Sequence, residues 1–251
     1  MILYFSGCGN SRHVAEQLAL LLEERLVWLN PNETNPAFAL GADEAFGIVC
    51  PVYAWAVPRL VTQYLERMQL SRKPSYCYLA CTCGDSLGKT PERLACTLAR
   101  KGLTLDAAFG FVMPETYVNL KSFKLDPPDR ERQKKEAADQ RLPLVAERIR
   151  RREAVIDVVR GPMPWVTSYV VNPLFYGLLI TDRKFHVTAD CIGCGQCAEH
   201  CPLDNIRMVE GRPTWQGHCT NCMGCYHRCP TNAIQFGKAT QGKGQYRGFG
   251  L

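Results

Sequence analysis

The sequence predicts an α/β protein: a doubly wound sheet of five parallel strands, followed by a small α+β module. Three observations carry that reading. Five apolar, strand-like runs alternate with helix-like segments over the first two-thirds of the chain. A Gly- and Ser-rich turn, "SGCGNS", stands between the first run and the first helix. A cysteine run, C-x2-C-x2-C-x3-C-P, occurs twice in the last third.

The elements follow in order. "MILYFS" reads as a strand, and "SRHVAEQLALLLEER" as a helix with Val14, Leu18, Leu21 and Leu22 on one face. "LVWLN" is a short strand. "EAFGIVCPVY" is the continuous apolar run expected of a buried parallel strand. Pro58 suits the first turn of the helix "PRLVTQYLERM". "SYCYLACTCG" is the fourth strand, a helix follows from Thr90 to Lys101, and "AAFGFVMPETY" is the fifth strand. Residues 129–155 are charged with helical period, and Pro143 is expected to kink or split them. Right-handed crossovers place helices on both faces. A phosphate-type turn after the first strand suits the flavodoxin-like strand order.

The predicted domains are therefore residues 1–160 for the α/β unit, 161–184 for an apolar connector, 185–238 for the Cys-rich module and 239–251 for a Gly-rich tail. The connector is apolar and aromatic but interrupted by Pro162, Pro164, Asn172 and Pro173, so it does not read as a membrane span. Packing between the two domains is its expected role; contact with a membrane surface or a partner is the alternative. The tail has little to pack and is expected to be mobile or to lie over the surface.

Cysteine usage is the unusual part of the composition. The chain has 14, eight of them between Cys191 and Cys229. Met1 runs directly into the first strand without a signal sequence, so a reducing, cytoplasmic setting is expected. Both runs match the bacterial ferredoxin spacing for [4Fe–4S] clusters, in which the fourth thiolate comes from the other run. Cys191, Cys194, Cys197 and Cys229 are then one ligand set; Cys219, Cys222, Cys225 and Cys201 are the other. Zinc favours separated C-x2-C pairs instead. His200, His218 and His227 flank ligands and read as a polar rim. The remaining Cys50, Cys77, Cys81, Cys83 and Cys96 read as small core residues.

The turn after the first strand reads as an anion site. A helix start offers free N–H groups. Ser6, Asn10 and Ser11 add side-chain donors, and Gly7 and Gly9 allow the backbone to curl. No Lys-Ser/Thr pair is present, which excludes a Walker A loop, and the spacing is not G-x-G-x-x-G. A terminal phosphate such as that of FMN fits. Two later strand ends support a flavin: Pro51, Val52, Tyr53, Ala54 and Trp55 offer flat aromatics, and Thr82, Cys83, Gly84 and Asp85 offer a turn near the ring.

Taken together, "YFSGCGNSRHVAE", "PVYAWAVP", "CTCGDSLG", "MPETY" and the double cysteine run resemble the EFR1-type flavodoxin–ferredoxin fusion family of bacteria and archaea, mainly anaerobes. The resemblance implies FMN, two [4Fe–4S] clusters and electron transfer in the cytoplasm. Cys8 departs from it, since such loops usually carry Thr. A thiol is a weaker donor than a hydroxyl, so Cys8→Thr is expected to tighten FMN binding.

The formal charge of +6 is no argument for nucleic acid. Eight ligating thiolates, two oxidised cluster cores of roughly +4 together and a phosphate of about −1.5 to −2 bring it to about zero. The expected partner is a redox protein. An alternative function is a flavin-dependent reductase of a small oxidised substrate such as a quinone, with the clusters as wiring. No residue set reads as catalytic, and the oligomeric state is not legible.

Overall fold

The computed structural model describes residues 1–249. β1 (Ile2–Tyr4) leads into α1 (Asn10–Leu22) and β2 (Leu26–Trp28). The two-residue β3 (Ala37–Phe38) precedes β4 (Ala45–Pro51), α2 (Arg59–Arg67), β5 (Gln69–Leu70), β6 (Tyr76–Cys83), α3 (Thr90–Ala99), β7 (Ala107–Val112), α4 (Pro128–Arg150) and β8 (Ile156–Asp157). The main sheet has the order β2-β1-β4-β6-β7-β8, and every neighbouring pair is parallel. Its first five strands are those expected, in the flavodoxin-like order. β8 adds a sixth at the edge, and β3 pairs with β5 in a separate parallel ribbon; two-residue strands are too short to leave a periodic signal.

Strand alternation divides the core. Along β6, Cys77, Leu79, Cys81 and Cys83 face α2 and α3, which contribute Leu60, Val61, Leu94 and Leu98. Tyr76, Tyr78 and Ala80 face the other way, toward Val14 and Leu18 of α1 and Leu142, Val145 and Ile149 of α4. Of the five cysteines read as core, Cys96 is instead exposed on α3. α4 runs unbroken through Pro143. The proline lies on the solvent face, where water can replace the missing donor, while Leu142, Val145 and Ala146 hold both sides to the sheet.

Beyond β8, α5 (Pro164–Val166), a π-helical turn (Thr167–Val171) and α6 (Asn172–Leu178) form one helical stretch within the connector. The Cys-rich module comprises β9 (Phe185–Val187), α7 (Gln196–Glu199), β10 (Ile206–Val209), β11 (Arg212–Trp215), α8 (Gly224–Arg228) and β12 (Ile234–Phe236). β9 pairs antiparallel with β12, and β10 with β11. The module's apolar core of Phe185, Ile206, Tyr226, Ile234 and Phe236 continues into Cys8 and Val118 of the α/β unit.

The tail packs rather than floats. Tyr246 is buried, and Phe249 stacks on His13 with ring centroids 3.8 Å apart. Two aromatic side chains supply the apolar area that a glycine-rich composition conceals. Residues 250 and 251 of the predicted tail lie outside the described residues.

Candidate functional site

The chain order reverses between β1 and β4, so a crevice opens at the carboxyl ends of the strands. A cavity of about 510 Å³ lies there. The turn after β1 contributes Ser6, Gly7, Cys8, Asn10 and Ser11; the β4 end contributes Pro51, Val52, Tyr53, Ala54 and Trp55; the β6 end contributes Thr82, Cys83, Gly84 and Asp85. Of the residues predicted for this site, only Gly9 is not part of the lining; its amide donates to Ser6 Oγ at 3.1 Å and so closes the turn.

Two of the predicted anion donors are already engaged. Asn10 donates through Nδ2 to the Pro114 carbonyl (2.9 Å) and accepts at Oδ1 from the Tyr246 hydroxyl (2.6 Å). The side chain therefore clamps the turn to the tail. Cys8 donates through Sγ to the Cys222 carbonyl at 2.9 Å. Burial pushes the Cys8 thiol pKa up, so it is a neutral donor and not a thiolate nucleophile. The free amides at the start of α1 and the Ser11 hydroxyl, which also meets Thr82 Oγ1 at 2.7 Å, remain for an anion.

The loop after β4 is held in a demanding conformation. Ala54 and Trp55 have φ of 46° and 61°, in the left-handed region. The connector secures them: Asn172 Nδ2 donates to the carbonyls of Tyr53 (3.1 Å) and Ala54 (3.0 Å), and Ser168 Oγ donates to that of Trp55 (2.9 Å). The indole N–H of Trp55 donates to Ser86 Oγ at 3.0 Å, which fixes the ring. A Cβ on Gly84 would collide with Glu115 Oε2, so a side chain there would push that carboxylate aside. Glu115 accepts from the amides of Thr116 and Tyr117, yet burial outweighs them and pushes its pKa up.

Three walls were not foreseen. One is the loop after β7, with Glu115, Thr116 and Tyr117; the "MPETY" motif was its available signal. The second is the connector, through Leu174, Phe175 and Leu178. The third comes from the Cys-rich module itself: Thr220, Asn221, Cys222 and Met223. The backbones approach closely here. A Cβ on Gly7 would sit 2.7 Å from the Cys222 Cβ, and Arg228 Nη1 donates to the Gly7 carbonyl at 2.9 Å.

The cavity fits a ligand that is mostly flat and apolar with polar edges. Tyr53 Oη, Tyr117 Oη and both amide atoms of Asn221 are buried without a hydrogen-bond partner. All three residues line the cavity. Unpaired buried polar atoms are costly, so they mark places where a bound group supplies partners.

The cysteines of the two runs gather into two groups, each a candidate ring for a cluster. Cys191, Cys194, Cys197 and Cys229 surround one small cavity together with Ile192, Met208 and Ile234. In the other, burial and the neighbouring Cys222, Cys219 and Cys201 push the Cys225 thiol pKa up. Backbone amides point at sulfur in both: Ala233 N to Cys229 Sγ (3.2 Å), Asn221 N to Cys219 Sγ (3.2 Å) and Asn205 N to Cys201 Sγ (3.3 Å). Such donors suit anionic sulfur held by a metal cluster. His227 is not on a polar rim. It is fully buried, accepts at Nδ1 from the Tyr246 amide and donates through Nε2 to the Thr116 carbonyl.

Residues 190–234 match the 4Fe-4S dicluster domain family. An uncharacterized ferredoxin of Methanocaldococcus jannaschii is 36% identical over 61 residues, which is 22% of this chain and 73% of that protein. Through this module the chain belongs to the dicluster ferredoxin family. The ferredoxin-like protein in the nif region of Trichormus variabilis is 35% identical over 48 residues, 18% of this chain and 41% of that protein, so the chain spans less than half of it. Among solved structures, a candidate flavoprotein of Bacteroides uniformis is similar at 14% identity and a TM-score of 0.38, over 44% of this chain and 88% of that one. The Trp repressor binding protein of Bacillus subtilis is similar at 12% identity and a TM-score of 0.33, over 56% and 95%. The strand order of the α/β unit rests on its own hydrogen bonds and not on these distant likenesses.

Proposed function

We propose that this chain is an electron-transfer protein that holds FMN in the large cavity and a [4Fe–4S] cluster in each cysteine ring, and that it exchanges electrons with an external low-potential redox partner. Cys191, Cys194, Cys197 and Cys229 would hold one cluster, and Cys219, Cys222, Cys225 and Cys201 the other. When bound, FMN supplies two-electron chemistry and each cluster one-electron chemistry. One observation carries the reading: Cys222 belongs both to a cysteine ring and to the wall of the cavity. A ligand in that cavity is therefore a neighbour of a cluster ligand within one chain, and the fusion keeps the two at high effective concentration.

The protein's own part is to bind and position. The amides at the start of α1 and Ser11 receive the phosphate. Trp55, held by Ser86, offers a flat face to the ring. Asn221 and Tyr53 offer polar atoms from the two sides of the module contact. The apolar connector residues Leu174 and Phe175 line the same cavity and would exclude water from it. Anaerobic purification or reconstitution, followed by a visible spectrum and stepwise reductive titration with EPR, tests this. Flavin bands over a broad brown absorption and two cluster signals are expected. Absence of the flavin, or of either cluster, overturns the reading.

A further inference from the structure

Two carboxyl groups meet beside the cavity, and the cations there serve only one of them. Asp126, in the loop between β7 and α4, accepts from Lys134 Nζ at 2.7 Å and pairs with Arg130 at 3.3 Å. It also accepts from the Glu115 amide at 2.8 Å. Lys134 gives a second hydrogen to the Gly84 carbonyl at 2.9 Å. Among the described residues no cation lies within ion-pair distance of the Glu115 carboxyl.

The two oxygens of Glu115 differ. Oε1 accepts from the amides of Thr116 (3.0 Å) and Tyr117 (2.8 Å). Oε2 accepts no hydrogen bond among the described residues and lies against Gly84. Glu115 and Gly84 both line the cavity. An ionised Oε2 would be a negative charge at this wall with no cation of its own. With a proton on Oε2 the same group is a neutral donor. Burial acts in the same direction and raises the Glu115 pKa, against the two amides and the charge of Lys134. A carboxyl kept neutral by its surroundings can donate where an ordinary carboxylate only accepts.

The other titratable groups near Glu115 do not supply that donor. Lys134 is engaged by Asp126 and Gly84. Asp126 is engaged by Lys134, Arg130 and the Glu115 amide. Asp85 sits exposed on the turn after β6. Cys8 gives its hydrogen to the Cys222 carbonyl, and Cys83 is buried in the β6 core. The connector and the Thr220–Met223 wall bring no charged side chain to the cavity.

We propose that Glu115 carries its proton on Oε2 and donates it as a hydrogen bond to an acceptor atom of the oxidised flavin ring. This rests on the flavin reading above and adds to it a neutral acid that selects the oxidised ring, whose edge carries carbonyl and imine acceptors.

The cluster-loaded full chain, freed of flavin by anaerobic dialysis, is titrated with FMN over a range of pH, and quenching of flavin fluorescence reads Kd. Wild-type affinity is expected to fall about tenfold as pH rises through the raised pKa, because the donor becomes a carboxylate facing the same acceptor. Glu115→Gln keeps the oxygen that the two amides need and places an amide donor where the proton was. It should bind as the wild type does at low pH and lack this fall. The FMN phosphate titrates in the same region, equally for both chains, so the ratio of the two Kd values isolates Glu115. A ratio constant across pH overturns the proposal, as does weaker binding by Glu115→Gln at low pH. Infrared difference spectra of the wild type need no variant: the carbonyl band of a protonated carboxyl should move to lower frequency when FMN binds, and a band that stays in place overturns the proposal. Failure of the wild type to bind FMN at any pH overturns the flavin reading itself, and this proposal with it.

Discussion

Gly7→Ala tests the contact between the two modules directly. The added Cβ would lie 2.7 Å from the Cys222 Cβ, 3.0 Å from its carbonyl oxygen and 3.3 Å from Tyr53 Oη. Carbon atoms prefer about 3.5–4.0 Å, so the surfaces must part by roughly 1 Å. Neither side yields easily. The Cys222 Cβ is fixed to the backbone of the cysteine run, and Arg228 and Cys8 tie the two backbones together through Gly7 O and Cys222 O. Overpacking of this kind costs about 1–3 kcal/mol. Two tying hydrogen bonds stretch with it, which favours a value of about 2 kcal/mol. At about 2–4 °C per kcal/mol for a chain of this size, the thermal midpoint falls by about 4–8 °C. Circular dichroism at a fixed scan rate measures it, with cluster absorbance followed in parallel. Gly177→Ala is the control, because nothing lies within 4 Å of its added Cβ. A Gly7→Ala midpoint equal to that of Gly177→Ala refutes the reasoning.

Four further outcomes are expected. Asn172→Ala strips the Tyr53 and Ala54 carbonyls of their donor and leaves Arg93 short of an acceptor; a loss of about 1–3 kcal/mol is expected, read as a lower thermal midpoint and weaker flavin retention. Glu115 has its folded-state pKa raised above the ordinary 4.5 by burial. Between those two values the folded chain binds more protons than the unfolded one, so stability falls as pH rises through the raised pKa; Glu115→Gln should flatten that slope in denaturant titrations. Cys201→Ser and Cys229→Ser should each halve the iron content, and EPR should show a different cluster surviving in each. Cys8→Thr supplies a hydroxyl where the thiol donates to Cys222 O and not to the anion turn; a stronger tie between that turn and the Thr220–Met223 wall, and through it tighter FMN binding in calorimetric titration, is expected, and unchanged or weaker affinity contradicts it.

What was legible in the sequence has a common physical character: it is local. Continuous apolar runs mark the buried parallel strands because both faces of each strand are covered, and the cysteine spacing is a property of one turn. The loops at the ends of β1, β4 and β6 were readable because an open α/β sheet presents its strand ends to ligands. What was hidden depends on chain segments far apart in sequence. The Thr220–Met223 wall exists only because two modules dock, and Asn10 is occupied by a tyrosine 236 residues away. The connector shows why local rules also mislead. Asn172 looked like an interruption of an apolar segment, yet Ser168 and Asn172 are four residues apart, one helical turn. Two polar residues at that spacing in an otherwise uncharged stretch define a polar stripe as surely as leucines define an apolar one. In this fold the stripe faces inward because the backbone carbonyls of Tyr53, Ala54 and Trp55, in a loop with left-handed residues at Ala54 and Trp55, need donors. Satisfying them commits the helix to one rotation and leaves Trp165, Tyr169 and Val170 exposed. Their exposure thus follows from the demands of the cavity beneath the helix.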